Sequence, residues 1–408
     1  MDNFDVVVVG GRCAGAATAM LLAGSGLRVL VVDRAAEGSD TISGHMIKPD
    51  GVARLAAWGI LPDLLGTGCP PISAAEVVID GRRLARTVFQ PGIQPPIAPR
   101  RTILDRLLQE HARRADARVR CSTAFRSWRN GVVTLSDSTV RTRLLIGADG
   151  RRSTVARVFA APYADVRPGR SCAWYAYWDH SPLTEARAEL RHGIFAGAFP
   201  THSAQVLAFA QLPVTAWRPG QGEQDLRAGL ARRPSVAAGL DNAEPSGRVV
   251  GVRDLPTYFR RAAGTGWALV GDAAHHKDPL AARGIFASSR LRELGRAHHG
   301  SFIAWALTFS MIRTGGMVLP RPQVGGRCHI GWVRARSSPQ RSTCGCFHIW
   351  HVVLGYYQST KARIHHNKRS RPPDKGQPEP GTGSAEAAST DCRNWRTDAA
   401  LRSRTNRR

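Results

Sequence analysis

An α/β fold is predicted by an element that recurs three times. Val6-Val7-Val8-Val9-Gly10, Leu144-Leu145-Ile146-Gly147 and Trp267-Ala268-Leu269-Val270-Gly271 are apolar runs that end abruptly in glycine. The first is β-branched throughout and reads as a buried parallel strand. A second observation is a β-rich block over 170–215, together with a hairpin turned at Asp80-Gly81. A third is the loss of apolar periodicity past about residue 286. The expected architecture is a Rossmann-like domain, an inserted and mostly antiparallel β-sheet domain, and an irregular or disordered C-terminal region.

The N-terminal element carries the most chemistry. After the first strand comes Gly10-Gly11-Arg12-Cys13-Ala14-Gly15, then an Ala-rich helix, then the strand Val29–Val32 ending at Asp33. This is the strand–turn–helix–strand order of a dinucleotide-binding unit, with an acid about 20 residues on to take a ribose hydroxyl. Glycine lets the backbone approach a pyrophosphate, and the helix N-terminus supplies free N–H groups and a positive dipole end. Arg12 stands where the pattern has its middle glycine. Its side chain must point away from a pyrophosphate or lie along it as a cation.

The rest follows in order. Arg34 to Lys48 is a polar loop holding His45, and a helix is expected over 52–58. Ala75–Ile79 and Arg82–Val88 form the Asp-Gly hairpin, and Gln90 to Pro99 is a Pro-rich linker. Arg101 opens an amphipathic helix whose buried side includes Leu104, Leu107 and Leu108. Strands are expected near 118–122 and 132–135. Gly147-Ala148-Asp149-Gly150 then leads into a helix capped by Ser153. In Trp174-Tyr175-Ala176-Tyr177-Trp178, strand alternation puts the tryptophans on one face and the tyrosines on the other. Only one of those faces can meet a pocket.

Composition bounds the function. The 408 residues hold 57 Lys and Arg against 31 Asp and Glu, a net charge of +26. Such an excess raises nucleic acid or an anionic membrane as partners. Residues 286–408, however, hold 21 Lys and Arg against 6 Asp and Glu, so much of the excess belongs to the tail. Its basic stretch Lys361 to Arg371 lacks an interleaved aromatic platform, and no specific nucleic-acid partner is expected. The eight cysteines are scattered, which points to a reducing, cytoplasmic setting. No transmembrane segment and no secretory leader are expected. Cys344-x-Cys346-x-His348-x-x-His351 has zinc-type ligands at a spacing that matches no common finger, so no metal is assigned.

The glycine turn with Asp33, the Gly147–Gly150 element and the Gly271-Asp272-Ala273-Ala274-His275 element occur in the order of one family. Over roughly residues 4–285 the chain resembles flavoprotein monooxygenases of the p-hydroxybenzoate hydroxylase fold, and less closely their geranylgeranyl-reductase branch. The resemblance implies that Gly10 and Gly15 face the FAD pyrophosphate and that Asp33 binds the adenosine ribose, with Gly11, Arg12 and Arg34 also in the cofactor site. It implies that Arg101 contacts the cofactor, and that Asp149 and Gly150 lie near the pyrophosphate. Gly271 and Asp272 would meet the ribityl chain, and Pro279 and Gly284 the isoalloxazine ring. His275 matches a family histidine, read as structural.

The domains implied are an FAD-binding domain over 1–71, 100–164 and 251–285 and a substrate-binding sheet over 72–99 and 165–250. His45, Trp174, Tyr175, Tyr177 and Trp178 are candidates for the substrate pocket; no catalytic residue is assigned. The implied reaction uses NAD(P)H as a transient reductant and molecular oxygen. A C4a-(hydro)peroxyflavin would pass one oxygen atom to a small aromatic or polyketide-like substrate. Two alternatives stand beside it: a flavin-dependent reductase of prenyl or other alkene groups, and an inactive flavin-binding remnant. The remnant follows from residues 286–408, which read as an out-of-frame or otherwise corrupted basic tail.

Overall fold

The run Val6–Val9 is buried on both faces, as a central parallel strand must be. In the computed structural model, which describes residues 1–90 and 92–279, it belongs to β1 (Asn3–Val9). There follow α1 (Cys13–Ala23), β2 (Val29–Val32), α2 (Pro49–Ala57), α3 (Leu61–Gly66), β3 (Ala74–Ile79), β4 (Arg82–Val88) and α4 (Arg101–Arg114). Next come β5 (Arg118–Arg120), β6 (Phe125–Arg129), β7 (Val132–Leu135), β8 (Thr139–Gly147), α5 (Thr154–Val158) and β9 (Tyr163–Arg167). The inserted strands are β10 (Ser171–Asp179), β11 (Ala186–Arg191), β12 (Ile194–Pro200) and β13 (Val206–Pro213). Then come α6 (Gly222–Ala231), α7 (Pro234–Ala237), β14 (Glu244–Val252), β15 (Thr257–Arg260), β16 (Ala263–Gly264), β17 (Trp267–Leu269) and β18 (His275–His276).

The first sheet runs β16-β17-β8-β1-β2-β5, with the hairpin β6–β7 attached to β8. Strands β17, β8, β1, β2 and β5 are mutually parallel. Their register matters for function. Val9 is level with Gly147, and Gly147 is level with Leu269. The three glycine-ended runs are therefore neighbours and finish together at one edge. Crevices outside the carboxyl ends of parallel strands are where α/β sheets bind ligands. One face of the sheet packs against α1 and α4, with Leu22, Leu104 and Leu108 in the core. The other face packs against the hairpin and α5.

The second sheet runs β14-β10-β13-β12-β11-β3-β4 and is antiparallel except for the β11–β3 pair. Its two faces separate the aromatic run as alternation requires. Cys172, Trp174, Ala176 and Trp178 pack on Leu226, Leu230 and Val236 of α6 and α7. Tyr175 packs on the other side with Ile72, Ala98, Phe199 and Leu207. A third, small sheet joins β18, β15 and β9.

Some elements differ from the sequence reading. Helix α2 begins at Pro49, because proline is well suited to the first helical turn. Strand β8 starts at Thr139, not near Leu144. Its first half alternates exposed and buried residues and pairs with β7 on an edge. β6, α6 and α7 were not legible as elements. The expectations for Gly284, for the Cys344–His351 cluster and for the tail 286–408 lie outside the described residues. Among the described residues no helix is long and apolar enough to cross a membrane, and no cluster of metal-ligating side chains is found.

Candidate functional site

The shared edge of β1, β8 and β17 opens into a cavity of about 820 Å³, within the size range of cofactor and ligand pockets. It runs from Asp33 and Arg34 past Gly10 and Asp149 to Asp272, and on to the face of the second sheet at Phe195, Phe199 and Phe209. Arg12, Arg101, Gly150, Gly271 and Pro279 also border it.

The glycines are required by backbone packing. Gly10 has φ +103°, and a Cβ there would lie 2.5 Å from the Ala148 carbonyl oxygen. A Cβ on Gly15 would fall 1.8 Å from the Gly10 carbonyl oxygen. Gly271 has φ +60°, and its Cβ would press the Ala14 methyl at 2.7 Å. The turn of β1, the start of α1 and the turn after β17 thus touch through glycines. Side chains at these places would fill the space beside the α1 N-terminus.

Arg12 fits for the same reason read in reverse. Its φ is −89°, an ordinary conformation for any residue. Of the two orientations open to its side chain, the structure shows one directed at the 39–40 loop and α4. The guanidinium bonds Ser39, the Asp40 carbonyl and Asp105, the last at 3.3 Å. Asp33 accepts hydrogen bonds from the N–H groups of Gly11 and Ala35, at 2.7 and 2.8 Å. It therefore braces the turn and still borders the cavity with spare lone pairs. Gln109 pins the other side of Gly11, donating to its carbonyl at 2.8 Å.

Asp105 is the residue the sequence reading missed. It lies in α4, four residues after Arg101, and is 4% exposed. Its carboxylate takes Arg101 in a bidentate pair, Nε to Oδ1 at 3.2 Å and Nη2 to Oδ2 at 3.0 Å, and also Arg12, the Cys13 N–H and the Cys13 thiol. The i,i+4 spacing of a basic and an acidic residue was a readable signal for the first of these contacts. The others arise from α1 and α4 packing side by side, which no local pattern announces.

Asp149 spends its carboxylate on α5, accepting from Ser153 Oγ at 2.5 Å and the Thr154 N–H at 2.6 Å. Gly150 follows with φ +75°. Asp272 is different. Burial pushes its carboxyl pKa up, while His276, Arg151 and Arg101 pull it back. Tyr258 holds the Asp272 backbone carbonyl at 2.5 Å. The Asp272 carboxylate itself accepts no hydrogen bond among the described residues, and it faces the cavity.

The aromatic candidates divide. Tyr175 and His45 border the cavity. His45 is fully buried: its Nδ1 donates to the Ser43 carbonyl, and its Nε2 accepts from the Tyr177 hydroxyl, both at 2.8 Å. Tyr177 sits behind it, under the Arg100 guanidinium at 4.1 Å. Trp178 packs in the core with Leu226 and Leu230 of α6 and does not border the cavity. Trp174 borders the cavity, but its ring stacks on Trp217 at 4.0 Å and fills the space left by Gly251. His275 stacks flat on Phe259 at 4.9 Å and does not border the cavity. Its neighbour His276 does, with Nδ1 bonded to the Pro256 carbonyl.

Burial of His45 lowers its pKa from 6.5 to about 4, outweighing the pull of the Ser43 carbonyl. The folded state therefore holds it neutral, while the unfolded chain protonates it near pH 6.5. Its contribution to stability is complete above that pH and is lost as the pH falls toward about 4. Urea denaturation should show a loss of up to about 3 kcal/mol over this interval. His45→Asn should flatten the profile, since asparagine tolerates the local φ of +55° and does not titrate. An unchanged acid slope in that variant would refute the assignment.

Comparisons with known proteins agree with this geometry. A family model described as an FAD binding domain matches residues 3–288. A 6-methylpretetramide 4-monooxygenase of Streptomyces rimosus is 29% identical over 313 residues, 69% of this chain and 71% of that protein. A ubiquinone hydroxylase of Rhodospirillum rubrum is 30% identical over 308 residues, 69% of this chain and 68% of that protein. A digeranylgeranylglycerophospholipid reductase of Methanothrix thermoacetophila is 29% identical over 303 residues, 69% of this chain and 73% of that protein. Among solved structures, the flavin-dependent brominase Bmp2 superposes with a TM-score of 0.65 at 17% identity, covering 77% of this chain and 84% of that one. PqsL of Pseudomonas aeruginosa, a probable FAD-dependent monooxygenase, superposes with a TM-score of 0.60 at 20% identity, covering 77% and 92%. The glycine cradle, the braced acid at β2 and the acid after β17 whose carboxylate accepts no hydrogen bond among the described residues fit FAD. The chain belongs to the FAD-binding-domain family and is an FAD-dependent oxidoreductase of the p-hydroxybenzoate hydroxylase fold.

Proposed function

We propose that the chain is a monooxygenase that takes electrons from NAD(P)H and places one oxygen atom from O2 on a small aromatic or polyketide-like molecule. When bound, FAD would supply the redox chemistry, hydride acceptance and reaction with oxygen. The protein's residues bind, orient and exclude water. Asp33 and Arg34 hold the adenosine end, with Gly10, Gly11, Gly15 and the α1 N-terminus at the pyrophosphate. Arg101 adds positive charge beside it, with Arg12 bracing the turn from the 39–40 loop and α4, while Asp149 and Gly150 shape the turn facing it. Asp272 takes the hydroxyls of the ribityl chain. Pro279, at the cavity's edge, faces the ring.

The substrate domain, 72–99 and 165–250, presents the apolar face of the second sheet. Phe195, Phe199, Phe209 and Tyr175 line that end of the cavity, and a wall of this kind suits a ring system held away from water.

The observation that carries the reading is the Asp272 carboxylate. It is half-buried, accepts no hydrogen bond among the described residues, and borders the cavity after β17. An acid so placed calls for donors from a ligand. Asp272→Ala should weaken FAD binding by about 10- to 100-fold, read by titrating the flavin absorbance. Binding within about twofold of wild type would exclude this role.

The activity is tested by NAD(P)H oxidation and oxygen consumption with candidate aromatic compounds. A second reading, a flavin-linked reductase of alkene groups, is favoured by the likeness to the Methanothrix reductase. Reduction of a prenyl substrate in the absence of oxygen would select it over the first.

A further inference from the structure

The second sheet reaches across to the segment after Asp272 through one group of polar side chains. Gln211 on β13 and Ser171 on β10 are 2% and 0% exposed. Gln211 Nε2 donates to Asp278, at 2.9 Å to Oδ1 and 3.1 Å to Oδ2, and lies 2.8 Å from Ser171 Oγ. Ser171 Oγ donates in turn to Asp278 Oδ2 at 3.3 Å. Asp278 directly precedes Pro279, which borders the cavity beside Asp272, His276 and Lys277.

The position of Gln211 gives this contact its meaning. Leu207, Phe209 and Gln211 alternate along β13, all border the cavity, and so share the face expected to receive substrate. Gln211 pairs across the ladder with Ala173, also on the cavity wall. A polar amide at the end of an apolar face costs free energy unless it is hydrogen-bonded. Here it is directed at a single carboxylate from another part of the chain. A hydrogen bond to a charged group is stronger than one between neutral groups. The contact therefore links the substrate face to the segment that continues from the Gly271-Asp272 turn.

We propose that Gln211, backed by Ser171, is a positioning residue that holds the Asp278-Pro279 segment against the cavity face of the second sheet and so fixes the backbone beside the flavin ring. The assignment of the ring to this end rests on the function proposed above. The native link sets a neutral amide against a carboxylate, and it fails if Gln211 becomes an acid. In Gln211→Glu two carboxylates face each other. They tolerate this arrangement only while one of them is protonated.

The test uses the full chain reconstituted with FAD. Two readouts are followed: quenching of bound-flavin fluorescence by potassium iodide, and amide hydrogen exchange at residues 276–278. Gln211→Leu should retain FAD, raise the iodide quenching constant about threefold or more, and speed exchange at 276–278 by about tenfold. Gln211→Glu should behave like wild type near about pH 5 and like Gln211→Leu near about pH 8. Wild type should be flat between those values. A loss of general stability would not produce that pH-dependent quenching. Ser171→Ala, a smaller change, should show the same two effects at reduced size and decides the matter if Gln211→Leu does not fold.

The proposal is overturned if Gln211→Glu quenches equally at both pH values and exchange at 276–278 is unchanged in the neutral variants. The exchange readout needs no flavin. A wild-type chain that binds no FAD would refute the functional reading, while exchange would still report on the clamp separately.

Discussion

Gly15→Ala is expected to be among the most damaging single substitutions in the chain. In an ordinary helix the change from glycine to alanine stabilises by about 1 kcal/mol, so the sign here is set by packing. The added Cβ would stand 1.8 Å from the Gly10 carbonyl oxygen and 3.1 Å from the Ala148 methyl. The nearer atom is backbone and cannot rotate aside. Gly10 is itself held by its N–H bond to the Val32 carbonyl at 2.8 Å, and Ala148 by its N–H bond to Val9 at 2.7 Å. Relief requires α1 to slide along the sheet. That would disturb the buried contact between α1 and α4. The expected cost exceeds about 3 kcal/mol, seen as a lower urea midpoint or as loss of soluble protein. A variant within about 0.5 kcal/mol of wild type would show that the turn is looser than described.

Asp105→Ala is expected to destabilise by about 3 to 5 kcal/mol, because it leaves buried charge without its partner. Arg101 has a side chain only 10% exposed and would lose its bidentate carboxylate; Arg12 would lose its anchor on α4. The Cys13 N–H, one of the free donors at the start of α1, would lose its acceptor. Asp105→Asn keeps the shape and part of the hydrogen bonding but not the charge, so its effect should lie between Ala and wild type. The consequence reaches function as well. With Arg101 and Arg12 released, the cavity loses an ordered cationic wall, and FAD affinity should fall by about tenfold or more in whatever fraction still folds. Chemical denaturation and flavin titration of the two variants measure both effects. Equal stability of Asp105→Ala and wild type would remove Asp105 from its central place.

The glycine-ended strands were legible because each is continuous, apolar and closed by a residue with a steric reason to be there. Their meeting at one edge follows from parallel register, which local sequence does not encode. The Asp-Gly hairpin was legible because positive φ is needed at Asp80 and Gly81, and both adopt it. The faces of the Trp174–Trp178 strand could be separated by alternation. Which face met the cavity could not, since that depends on α6 and α7, two elements with weak local signals. Asp105, Gln109 and Gln211 escaped notice for a related reason. Each is a polar residue inside an otherwise amphipathic pattern, and a defining partner of each lies more than 60 residues away, at Cys13, Gly11 and Asp278. Arg12 looked like a defect in a motif. It is compatible because the backbone there is ordinary and its guanidinium is held by the 39–40 loop and α4.

FAD bound in the cavity between the glycine cradle and the second sheet is the central requirement of the proposed function. Purification followed by titration with FAD tests this most directly. The expected result is a yellow protein that retains about one flavin per chain through gel filtration, with an absorbance spectrum shifted from that of free FAD. Protein that remains colourless after reconstitution with excess FAD would contradict it.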